Sequence, residues 1–510
     1  MDSNQGHLNA DALIVGAGPA GLACAIRLAR RTERPLRIAV LEKSAHPGGH
    51  LLSGAVVRPE PLAALLDPRD FDALPLGPIV VRDSFHALFP SRSFRLPFVP
   101  PAMRMHGLPL VSAASLGKAL AGIAESLGVE IFWGQTAESL VWKDGRVAGV
   151  RCGADSILSP AVVLADGPAG LLSREAYARF PNSRAANLQT HGIGFKEIVE
   201  IPPNPAAVGS VLHTFGHPLR LGHYGGGFIY HFDATHVAIG LVLALDYSDP
   251  SLHLHDLFRR WKRHPLVHSR IAGGRAVEYG SRLVPEGGWH SIPKLALPGA
   301  SVVGDSAGLV DPLELKGIHL AVESGMAAAD AILRGGSFGP DDVPSLASLR
   351  RSANYRAAFR AGLPFGMAAA GLSWLAGRSF PPGRIPQRDE RLSFRPSHPI
   401  HPPSSGTVDG SPIDLGVDSD LFLARLRIRA GSCHVSIKNE SACMDCFAAY
   451  DAPCTRFCPA SVYEPAADSP AIQVRAENCL QCRCCTLKCP LDNIAWETPL
   501  HGAGPDYRDL

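Results

Sequence analysis

The sequence Ala12-Leu-Ile-Val-Gly16-Ala-Gly18-Pro-Ala-Gly21 begins as a short apolar run and continues as a glycine-rich turn. Small and apolar residues then recur at helical spacing from Pro19 to Arg31. A strand, a Gly-x-Gly-x-x-Gly turn and a helix in this order form the fingerprint of a dinucleotide-binding fold. Gly16 and Gly18 let the backbone approach a pyrophosphate, and Gly21 lets the helix pack on the strand. The stretch predicts an α/β fold of the Rossmann type, with the helix N-terminus facing the negative charge.

An acidic residue closes the second predicted strand, Arg37-Ile-Ala-Val-Leu41. This residue, Glu42, lies 21 positions after Gly21. A carboxylate at this place holds the ribose 2′-hydroxyl of a dinucleotide and disfavours a 2′-phosphate. Glu42 is therefore predicted to bind the ribose.

A second strand-and-turn motif lies far downstream, at Ala300-Ser-Val-Val-Gly304-Asp305-Ser-Ala-Gly308, and Gly317-Ile318 then precedes a helix-like stretch. The arrangement resembles flavoproteins of the glutathione-reductase-like class. These proteins place such an aspartate on the ribityl chain of the flavin and the helix N-terminus beside its ring. The resemblance implies FAD as a cofactor, bound by Asp305, Gly317 and Ile318. The alternative for Asp305 is a helix N-cap at an ordinary strand-to-helix turn.

Nine of the twelve cysteines fall in the last seventy residues, between Cys443 and Cys489. Their sharpest run is Cys479-Leu-Gln-Cys482-Arg-Cys484-Cys485-Thr-Leu-Lys-Cys489-Pro490. If Cys484 is counted as an ordinary intervening residue, the spacing is C-x2-C-x2-C-x3-C-P. This is the bacterial ferredoxin run, whose last cysteine ligates a different cluster. Such a run needs a second Cys-Pro, which Cys458-Pro459 supplies. The residues predicted to hold one 4Fe-4S cluster are Cys458, Cys479, Cys482 and Cys485.

The remaining cysteines form a similar run with an insertion before its third cysteine. Cys443-Met-Asp-Cys446 is followed, after seven residues, by Cys454-Thr-Arg-Phe-Cys458-Pro459. A second cluster in the crossed arrangement of two-cluster ferredoxins is possible on this spacing. Structural zinc is the alternative for both sites, since C-x2-C pairs also suit zinc, and loose thiols are a further alternative for the second. The residues of this second candidate site are Cys443, Cys446, Cys454 and Cys489.

Length and composition limit the classes of protein to which the chain can belong. The 510 residues allow about three domains, and an apolar fraction of 46% is ordinary for a soluble enzyme. A net charge of +2 with 19% charged residues gives no nucleic-acid footprint, so no nucleic-acid partner is expected. The segment Met1 to Asn9 lacks the pattern of a secretory or transit peptide. Cysteines clustered at one end favour a reducing compartment, so we expect a cytoplasmic location.

Several blocks along the chain resemble the electron-transfer flavoprotein–ubiquinone oxidoreductases and their FixC and FixX relatives. The similarity covers nearly the whole chain in order. The matching stretches are His191-Gly-Ile-Gly-Phe-Lys-Glu-Ile, His223-Tyr-Gly-Gly-Gly-Phe-Ile-Tyr-His231, Leu245-Asp-Tyr, Arg260-Trp-Lys-Arg-His-Pro265, Pro285-Glu-Gly-Gly-Trp-His-Ser-Ile-Pro-Lys294, Lys316-Gly-Ile-His, Arg456-Phe-Cys-Pro-Ala-Ser-Val-Tyr-Glu464 and the final cysteine run.

The resemblance implies an α/β fold with a glutathione-reductase-like FAD-binding Rossmann domain. It also implies two further parts. One is an inserted quinone- or substrate-binding sheet domain, and the other is a C-terminal ferredoxin-like α+β iron–sulfur module. We expect the discontinuous FAD domain over residues 1–380, with the insertion at about 180–295. A proline-rich connector at 381–415 then leads to the iron–sulfur module at 416–510.

The resemblance also implies an activity. The family passes electrons from reduced electron-transfer flavoprotein, through a 4Fe-4S cluster and FAD, to ubiquinone. The residues that match its quinone site are Tyr224, Gly225 and Gly226, where glycines let backbone groups reach a quinone oxygen. The alternative for this glycine-rich stretch is a hairpin turn. No acid–base side chain is assigned a catalytic role, because the electron steps need none.

Two departures from the family keep other acceptors open. The relatives carry a single cluster and no cysteine at the position of Cys489, and their Gly-Cys-Ser is here Gly304-Asp305-Ser306. One alternative is a FixC-like or geranylgeranyl-reductase-like FAD oxidoreductase, which would act on another acceptor or an isoprenoid double bond and receive electrons from its fused ferredoxin module. A pure electron carrier within a larger complex is another.

A quinone enzyme must touch the bilayer in which its substrate dissolves. The uncharged stretch Leu363-Pro-Phe-Gly-Met-Ala-Ala-Ala-Gly-Leu-Ser-Trp-Leu-Ala376 is flanked by Arg360 and Arg378. It is too short to span a membrane but suits an interfacial segment. A buried core helix is the alternative, and Phe94-Arg-Leu-Pro-Phe-Val-Pro-Pro-Ala-Met103 is a second candidate contact. We therefore expect peripheral attachment to the inner face of the cell membrane.

Overall fold

The computed structural model describes residues 7–52, 56–168, 170–396, 417–427, 434–466, 471–497, 499 and 501–510. Its strands are β1 (His7–Asn9), β2 (Ala12–Val15), β3 (Ile38–Glu42), β4 (Arg82–Leu88), β5 (Ser93–Arg95), β6 (Glu130–Trp133), β7 (Ser139–Lys143), β8 (Arg146–Cys152), β9 (Asp155–Leu158), β10 (Val162–Leu164), β11 (His191–Glu200), β12 (Ser210–Gly216), β13 (Gly225–His231), β14 (His236–Ala244), β15 (Arg275–Pro285), β16 (Ala296–Leu297), β17 (Ala300–Val302), β18 (Val435–Ile437), β19 (Tyr463–Pro465), β20 (Ile472–Val474) and β21 (Ile494–Trp496).

Helices connect and cover these strands. They are α1 (Pro19–Arg31), α2 (Glu60–Leu65), α3 (Pro68–Asp72), α4 (Ala113–Ser126), α5 (Leu171–Arg179), α6 (Leu254–Lys262), α7 (Pro265–Ile271), α8 (Ile318–Leu333), α9 (Leu346–Arg351), α10 (Tyr355–Ala358), α11 (Leu363–Ala376), α12 (Val417–Leu423), α13 (Glu440–Tyr450), α14 (Cys454–Phe457) and α15 (Cys484–Lys488). The part of the expected connector from 397 to 415 lies outside the described residues.

The first sheet has the order β16-β17-β10-β2-β3-β6. Its strands from β17 to β6 run parallel, and β16 is antiparallel to β17. Strand β2 is buried at all four residues, as its unbroken apolar sequence requires for a strand covered on both faces. Helices α1 and α8 cross closely at Gly325, where a Cβ would lie 2.2 Å from the Ala20 carbonyl oxygen. This sheet and its helices form the predicted Rossmann domain, and a small sheet of order β1-β9-β8-β7 lies beside it.

A larger sheet has the order β15-β11-β14-β13-β12-β4-β5. It is antiparallel except where β12 and β4 run parallel. The strands from β11 to β15 belong to the expected insertion at 180–295. Strands β4 and β5 come from residues 82–95, outside that range, so the sheet is assembled from two separate parts of the chain.

The cysteine-rich end forms two antiparallel ribbons, β18 with β21 and β19 with β20, linked by short helices. It packs directly on the rest of the molecule. The Tyr279 hydroxyl donates to the Pro459 carbonyl at 3.0 Å, and the Lys43 ammonium donates to the Gln481 side chain at 2.9 Å. One hydrophobic core continues from the larger sheet into this module. The module is therefore held in a fixed place against both sheets.

Helix α11 matches the predicted interfacial stretch and is mostly exposed. Its buried residues are Gly366 and Ala369, whereas Phe365, Trp374 and Leu375 expose 67%, 63% and 73% of their surface. The alternative of a buried core helix is therefore wrong. Among the described residues, no helix is long and apolar enough to cross a bilayer.

Candidate functional site

A cavity of about 1340 Å³ lies between the Rossmann sheet and the larger sheet. It exceeds the roughly 300–1,000 Å³ of pockets that hold one drug-sized ligand. Most of the predicted site residues line it, although they come from four distant parts of the sequence. Those that line it are Gly16, Gly18, Glu42, Tyr224, Gly225, Gly226, Asp305, Gly317, Ile318 and Cys482.

The glycine turn shapes one end of the cavity. Gly16 has φ +103°, and a Cβ there would lie 2.3 Å from the Ala165 carbonyl oxygen. Gly18 faces the cavity as the N-cap of α1, and a Cβ there would meet only Leu51 at 3.8 Å. Gly21 lies behind the turn, where a Cβ would be 2.0 Å from the Gly16 carbonyl oxygen. The first two glycines thus leave open backbone at a helix N-terminus, and the third allows the packing.

Glu42 lies at the carboxyl end of β3, and its carboxylate is fixed by two backbone donors. The N–H of Ala17 donates to Oε2 at 2.8 Å, and the N–H of Ser44 donates to Oε1 at 2.7 Å. The side chain is thereby held at the edge of the cavity beside the glycine turn. This is the arrangement that a ribose needs, since each hydroxyl can donate to a carboxylate oxygen.

Asp305 lies within a short 3-10 turn, Gly304–Ala307, whose N-cap is Val303. The alternative role of Asp305 as an N-cap is therefore wrong. Burial raises the pKa of the Asp305 carboxyl, and the nearby positive charge of Arg282 opposes the shift. Helix α8 begins at Ile318 with its N-terminus at the cavity wall. Its partial positive charge would stabilise an anionic ring placed there.

Arg282 was not found by sequence reasoning. It lies on β15, lines the cavity and donates a hydrogen bond to the carbonyl oxygen of His50. A Cβ at Gly167, on the Rossmann side, would be 3.1 Å from its guanidinium. This cation therefore sits between the two sheets, close to where a flavin ring would lie. Nothing in the sequence around it distinguished Arg282 from a surface arginine.

These features fit FAD. An open glycine turn at a helix N-terminus, a fixed carboxylate, an aspartate and a second helix N-terminus all border one cavity. They would serve the pyrophosphate, the adenosine ribose, the ribityl chain and the flavin ring, respectively.

Tyr224, Gly225 and Gly226 lie on the opposite wall. Both glycines belong to β13, so the alternative of a hairpin turn is wrong. The Tyr224 hydroxyl donates to the Pro312 carbonyl at 3.2 Å, and the Arg356 guanidinium lies over its ring at 4.4 Å. Burial raises the pKa of Tyr224 well above its usual range. The phenol therefore stays neutral and fixed beside the exposed glycine backbone.

A buried carboxyl group, Glu286, also faces this part of the cavity. Its Oε2 accepts from the Arg356 Nε at 3.2 Å, and Arg356 also bonds Asp246 at 2.9 Å. Burial raises the pKa of Glu286 to about 7, although the positive charge of Arg356 acts against it. The family resemblance covers the block Pro285–Lys294, which contains Glu286, but implies no role for this residue.

The clustered cysteines other than Cys484 fall into two groups. The inner cysteine set is Cys458, Cys479, Cys482 and Cys485, and the outer cysteine set is Cys443, Cys446, Cys454 and Cys489. Within the described residues, no group of three or more His, Cys, Asp or Glu side chains is arranged to hold a single metal ion.

Within the inner cysteine set, Cys482 lines the wall of the cavity, and Cys458 and Cys485 are buried. Burial raises the pKa of the Cys479 thiol, and the negative charges of Cys485 and Cys458 raise it further. Backbone N–H groups point at the sulfurs, from Gln481 to Cys479 at 3.3 Å and from Val462 to Cys458 at 3.5 Å. Mutually close thiols with N–H donors fit an iron–sulfur cluster, whose potential such hydrogen bonds tune.

Comparison with protein-family models finds three matches. Residues 191–284 match the ubiquinone-binding domain of electron transfer flavoprotein–ubiquinone oxidoreductase, and residues 425–508 match its 4Fe-4S domain. Residues 14–74 match an NAD(P)-binding Rossmann-like domain.

Relatives align over almost the entire chain. A probable mitochondrial electron transfer flavoprotein–ubiquinone oxidoreductase of Schizosaccharomyces pombe is 35% identical over 544 residues, covering 98% of this chain and 85% of the relative. The electron transfer flavoprotein–ubiquinone oxidoreductase of Pseudomonas aeruginosa is 32% identical over 555 residues, covering 99% of both chains.

Solved structures show a similar fold at low identity. A flavoprotein/dehydrogenase from Cytophaga hutchinsonii superposes with a TM-score of 0.52 at 15% identity, over 71% of this chain and 87% of that one. A myxobacterial FAD-dependent halogenase gives a TM-score of 0.51 at 18% identity, over 74% and 92%. Together with the Rossmann and 4Fe-4S models, these matches confirm the predicted fold class and cofactors, FAD and a 4Fe-4S cluster.

Proposed function

Because the chain belongs to the electron-transfer flavoprotein–ubiquinone oxidoreductase family, it is an iron–sulfur flavoprotein oxidoreductase with a quinone acceptor, and we propose a residue-level account of its electron path. Electrons from reduced electron-transfer flavoprotein reach the flavin through the inner cysteine set and leave from the wall formed by Tyr224, Gly225 and Gly226. The single observation that carries this account is the shared cavity. The flavin-type residues, the quinone-type glycines and Cys482 all line one continuous space.

In this account Gly16, Gly18, Glu42, Asp305, Gly317 and Ile318 hold FAD, with Gly21 behind the turn. When bound, the cluster passes single electrons and FAD stores one or two, which matches a one-electron relay to a two-electron quinone. The protein fixes the positions of both groups, because Lys43 beside the nucleotide site bonds Gln481 within the cysteine run. Arg282 and the N-terminus of α8 supply the positive charge that favours a reduced, anionic ring.

Quinone reduction also consumes two protons, and the wall near Tyr224 offers a donor. The Glu286 carboxyl, with its pKa raised to about 7 by burial, is partly protonated at neutral pH and faces the cavity. Arg356 holds its carboxylate while lying over the Tyr224 ring. We assign Glu286 the role of delivering a proton to the quinone side of the cavity.

The cavity opens towards an apolar surface that suits a lipid bilayer. Met367 and Trp374 of α11 line the cavity and are exposed, and Phe98 does the same from the segment after β5. Arg360, Arg378 and Arg95 stand exposed around them, where they can attract anionic headgroups. We propose that this face lies on the inner surface of the cell membrane and admits ubiquinone directly from the bilayer.

The assay that tests the proposal combines the purified holoprotein, reduced electron-transfer flavoprotein and a short-chain ubiquinone analogue under anaerobic conditions. We expect stoichiometric quinone reduction and oxidation of the donor flavin. A protein that carries FAD and cluster but reduces no quinone would overturn the proposal and favour another acceptor. A photoreactive quinone should label the peptide containing Tyr224 and Gly226, and excess ubiquinone should suppress that labelling.

A further inference from the structure

The cysteine-rich module is built from two similar halves. In the first, β18 leads through α13 to α14 and β19, and in the second β20 leads through a 3-10 turn at Ala476–Asn478 to α15 and β21. The ribbons pair across the halves, since the first strand, β18, pairs with the last, β21. Cys458 follows α14 and Cys489 follows α15, each directly before a proline. The two cysteines therefore occupy equivalent places.

The equivalence extends to the sulfur atoms. The Cys458 sulfur accepts from the N–H of Val462 at 3.5 Å, and the Cys489 sulfur accepts from the N–H of Asn493 at 3.2 Å. In both halves the donor is four residues after the cysteine. If the geometry around Cys458 suits a cluster ligand, the same geometry recurs at Cys489.

One side chain ties Cys489 to the outer helix. Asn493, whose N–H contacts Cys489, also donates from Nδ2 to the Cys443 sulfur at 3.1 Å. Cys446 lies three residues after Cys443 on α13, so the two thiols share one face of that helix. Three of the four sulfurs of the outer cysteine set are therefore gathered at one place by backbone geometry and a single asparagine.

Cys454 completes the group at the first position of α14. Cys454 lies four residues before Cys458-Pro459, just as Cys485 lies four residues before Cys489-Pro490. Cys454 therefore occupies in the first half, on α14, the place that Cys485 of the inner set occupies in the second half, on α15. Soft thiolate sets of this kind hold an iron–sulfur cluster or zinc.

We propose that Cys443, Cys446, Cys454 and Cys489 bind a second 4Fe-4S cluster. The Cys-Pro of each half then serves the cluster of the other half. Helix α14 links the two sites directly, because Cys454 belongs to the outer set and Cys458, four residues later, belongs to the inner set. Four residues advance a helix by about 6 Å, so the two clusters are immediate neighbours.

The position of the outer set gives the second cluster a role that rests on the proposed function. Cys443, Cys446 and Cys454 are partly exposed, whereas Cys482 of the inner set lines the FAD cavity. The partly exposed outer set would therefore hold the entry cluster, which would accept one electron at a time from the reduced flavin of electron-transfer flavoprotein and relay it to the inner set. No atom is transferred in this step.

Iron and acid-labile sulfide analysis of the full chain, purified without oxygen and reconstituted with iron and sulfide, tests the proposal. We expect about eight irons and eight sulfides per chain, and a dithionite-reduced EPR spectrum of two coupled centres. Cys443→Ser and Cys489→Ser should each lower the count to about four while FAD content stays unchanged. Cys152→Ser, in β8 and outside both sets, is the matched control and should keep eight.

About four irons in the wild-type chain, unchanged in Cys443→Ser, would overturn the proposal. So would one zinc per chain that Cys443→Ser removes. Helix α13 has no buried residue, so Cys443→Ser is not expected to disturb folding. The iron content of the wild-type chain tests the proposal even if a variant fails to fold. The metal count does not depend on the acceptor, whereas quinone turnover by the wild-type chain tests the proposed function separately.

Discussion

Gly16 and Gly122 differ in what a methyl group would meet. At Gly16 the φ is +103° and a Cβ would lie 2.3 Å from a backbone oxygen, whereas at Gly122, on the exposed side of α4, it would meet nothing within 4 Å. The first glycine is required by the turn, and the second only weakens its helix.

We expect Gly16→Ala to lose FAD and to lower the free energy of unfolding by about 1–3 kcal/mol, because a left-handed φ and a backbone clash both oppose the alanine. Gly122→Ala should raise it by about 0.5–1 kcal/mol, because alanine is the better helix former. Flavin absorbance per protein and urea unfolding measure the two effects. Normal flavin content in Gly16→Ala would contradict the role given to this turn.

Glu286 should give quinone reduction a pH dependence. Burial raises the pKa of its carboxyl to about 7, so the group can donate a proton below that pH and is ionised above it. We expect the quinone-reduction rate to fall above pH 7, by about tenfold per unit once ionisation is complete. Stopped-flow measurement of quinone reduction by the pre-reduced protein, from pH 6 to about pH 9, follows the step.

Two glutamine variants test this prediction, one at Glu286 and a matched control on β15. Glu286→Gln should reduce quinone slowly at every pH, without the decrease in rate above neutral pH. Glu278→Gln alters a buried carboxyl whose pKa burial also raises, but one that does not line the cavity, and it should keep the wild-type profile. A Glu286→Gln profile identical to that of the wild type would remove Glu286 from the proton path.

At the scale of elements, α11 combines an apolar exposed surface with a place at the cavity mouth. A helix of 14 residues whose buried members are two small residues gains little from packing on its own protein. A contiguous exposed apolar surface commonly marks a binding site. The bilayer is the partner that also explains why the same helix borders the quinone cavity.

We expect the double variant Phe365→Glu with Leu372→Glu to lose binding to anionic liposomes, because two carboxylates on the exposed surface of α11 would enter the lipid interface. Reduction of a water-soluble quinone should stay within about twofold of the wild type, since neither change touches the predicted cofactor residues. Phe422→Glu, which alters a side chain 83% exposed on α12, should bind liposomes normally. Equal liposome binding by the double variant and the wild type would argue against this face.

At the scale of the whole molecule, the three parts are joined by specific buried contacts. The Lys488 ammonium donates to the Tyr247 carbonyl at 2.8 Å, and Tyr279 of the larger sheet bonds Pro459 beside the inner cysteine set. These contacts hold the cysteine run against the flavin cavity. Electron transfer between the two then needs no domain movement.

Removing one ligand of the inner cysteine set should therefore block the arrival of electrons at FAD while leaving quinone reduction by FAD intact. Cys479→Ser is expected to lose the inner cluster and to slow the reaction from electron-transfer flavoprotein to quinone by at least about a hundredfold, as second-shell and ligand losses at metal sites do. FAD content and quinone reduction by chemically reduced FAD should remain. Unimpaired turnover from electron-transfer flavoprotein in Cys479→Ser would show that electrons bypass this site.

Local sequence determined much of this protein. The glycine turn, the bounds of α1 and α11 and the spacing of the cysteine runs follow from backbone sterics and hydrophobic period, which act over a few residues. The tertiary structure decided which residues from distant parts of the chain lie together. It brought Arg282 and Glu286 to the cavity, added β4 and β5 to the larger sheet, and used Asn493 to join Cys443 to Cys489. Such contacts depend on how sheets and loops pack, and no local pattern records them, because burial and charge are set by neighbours far away in the chain.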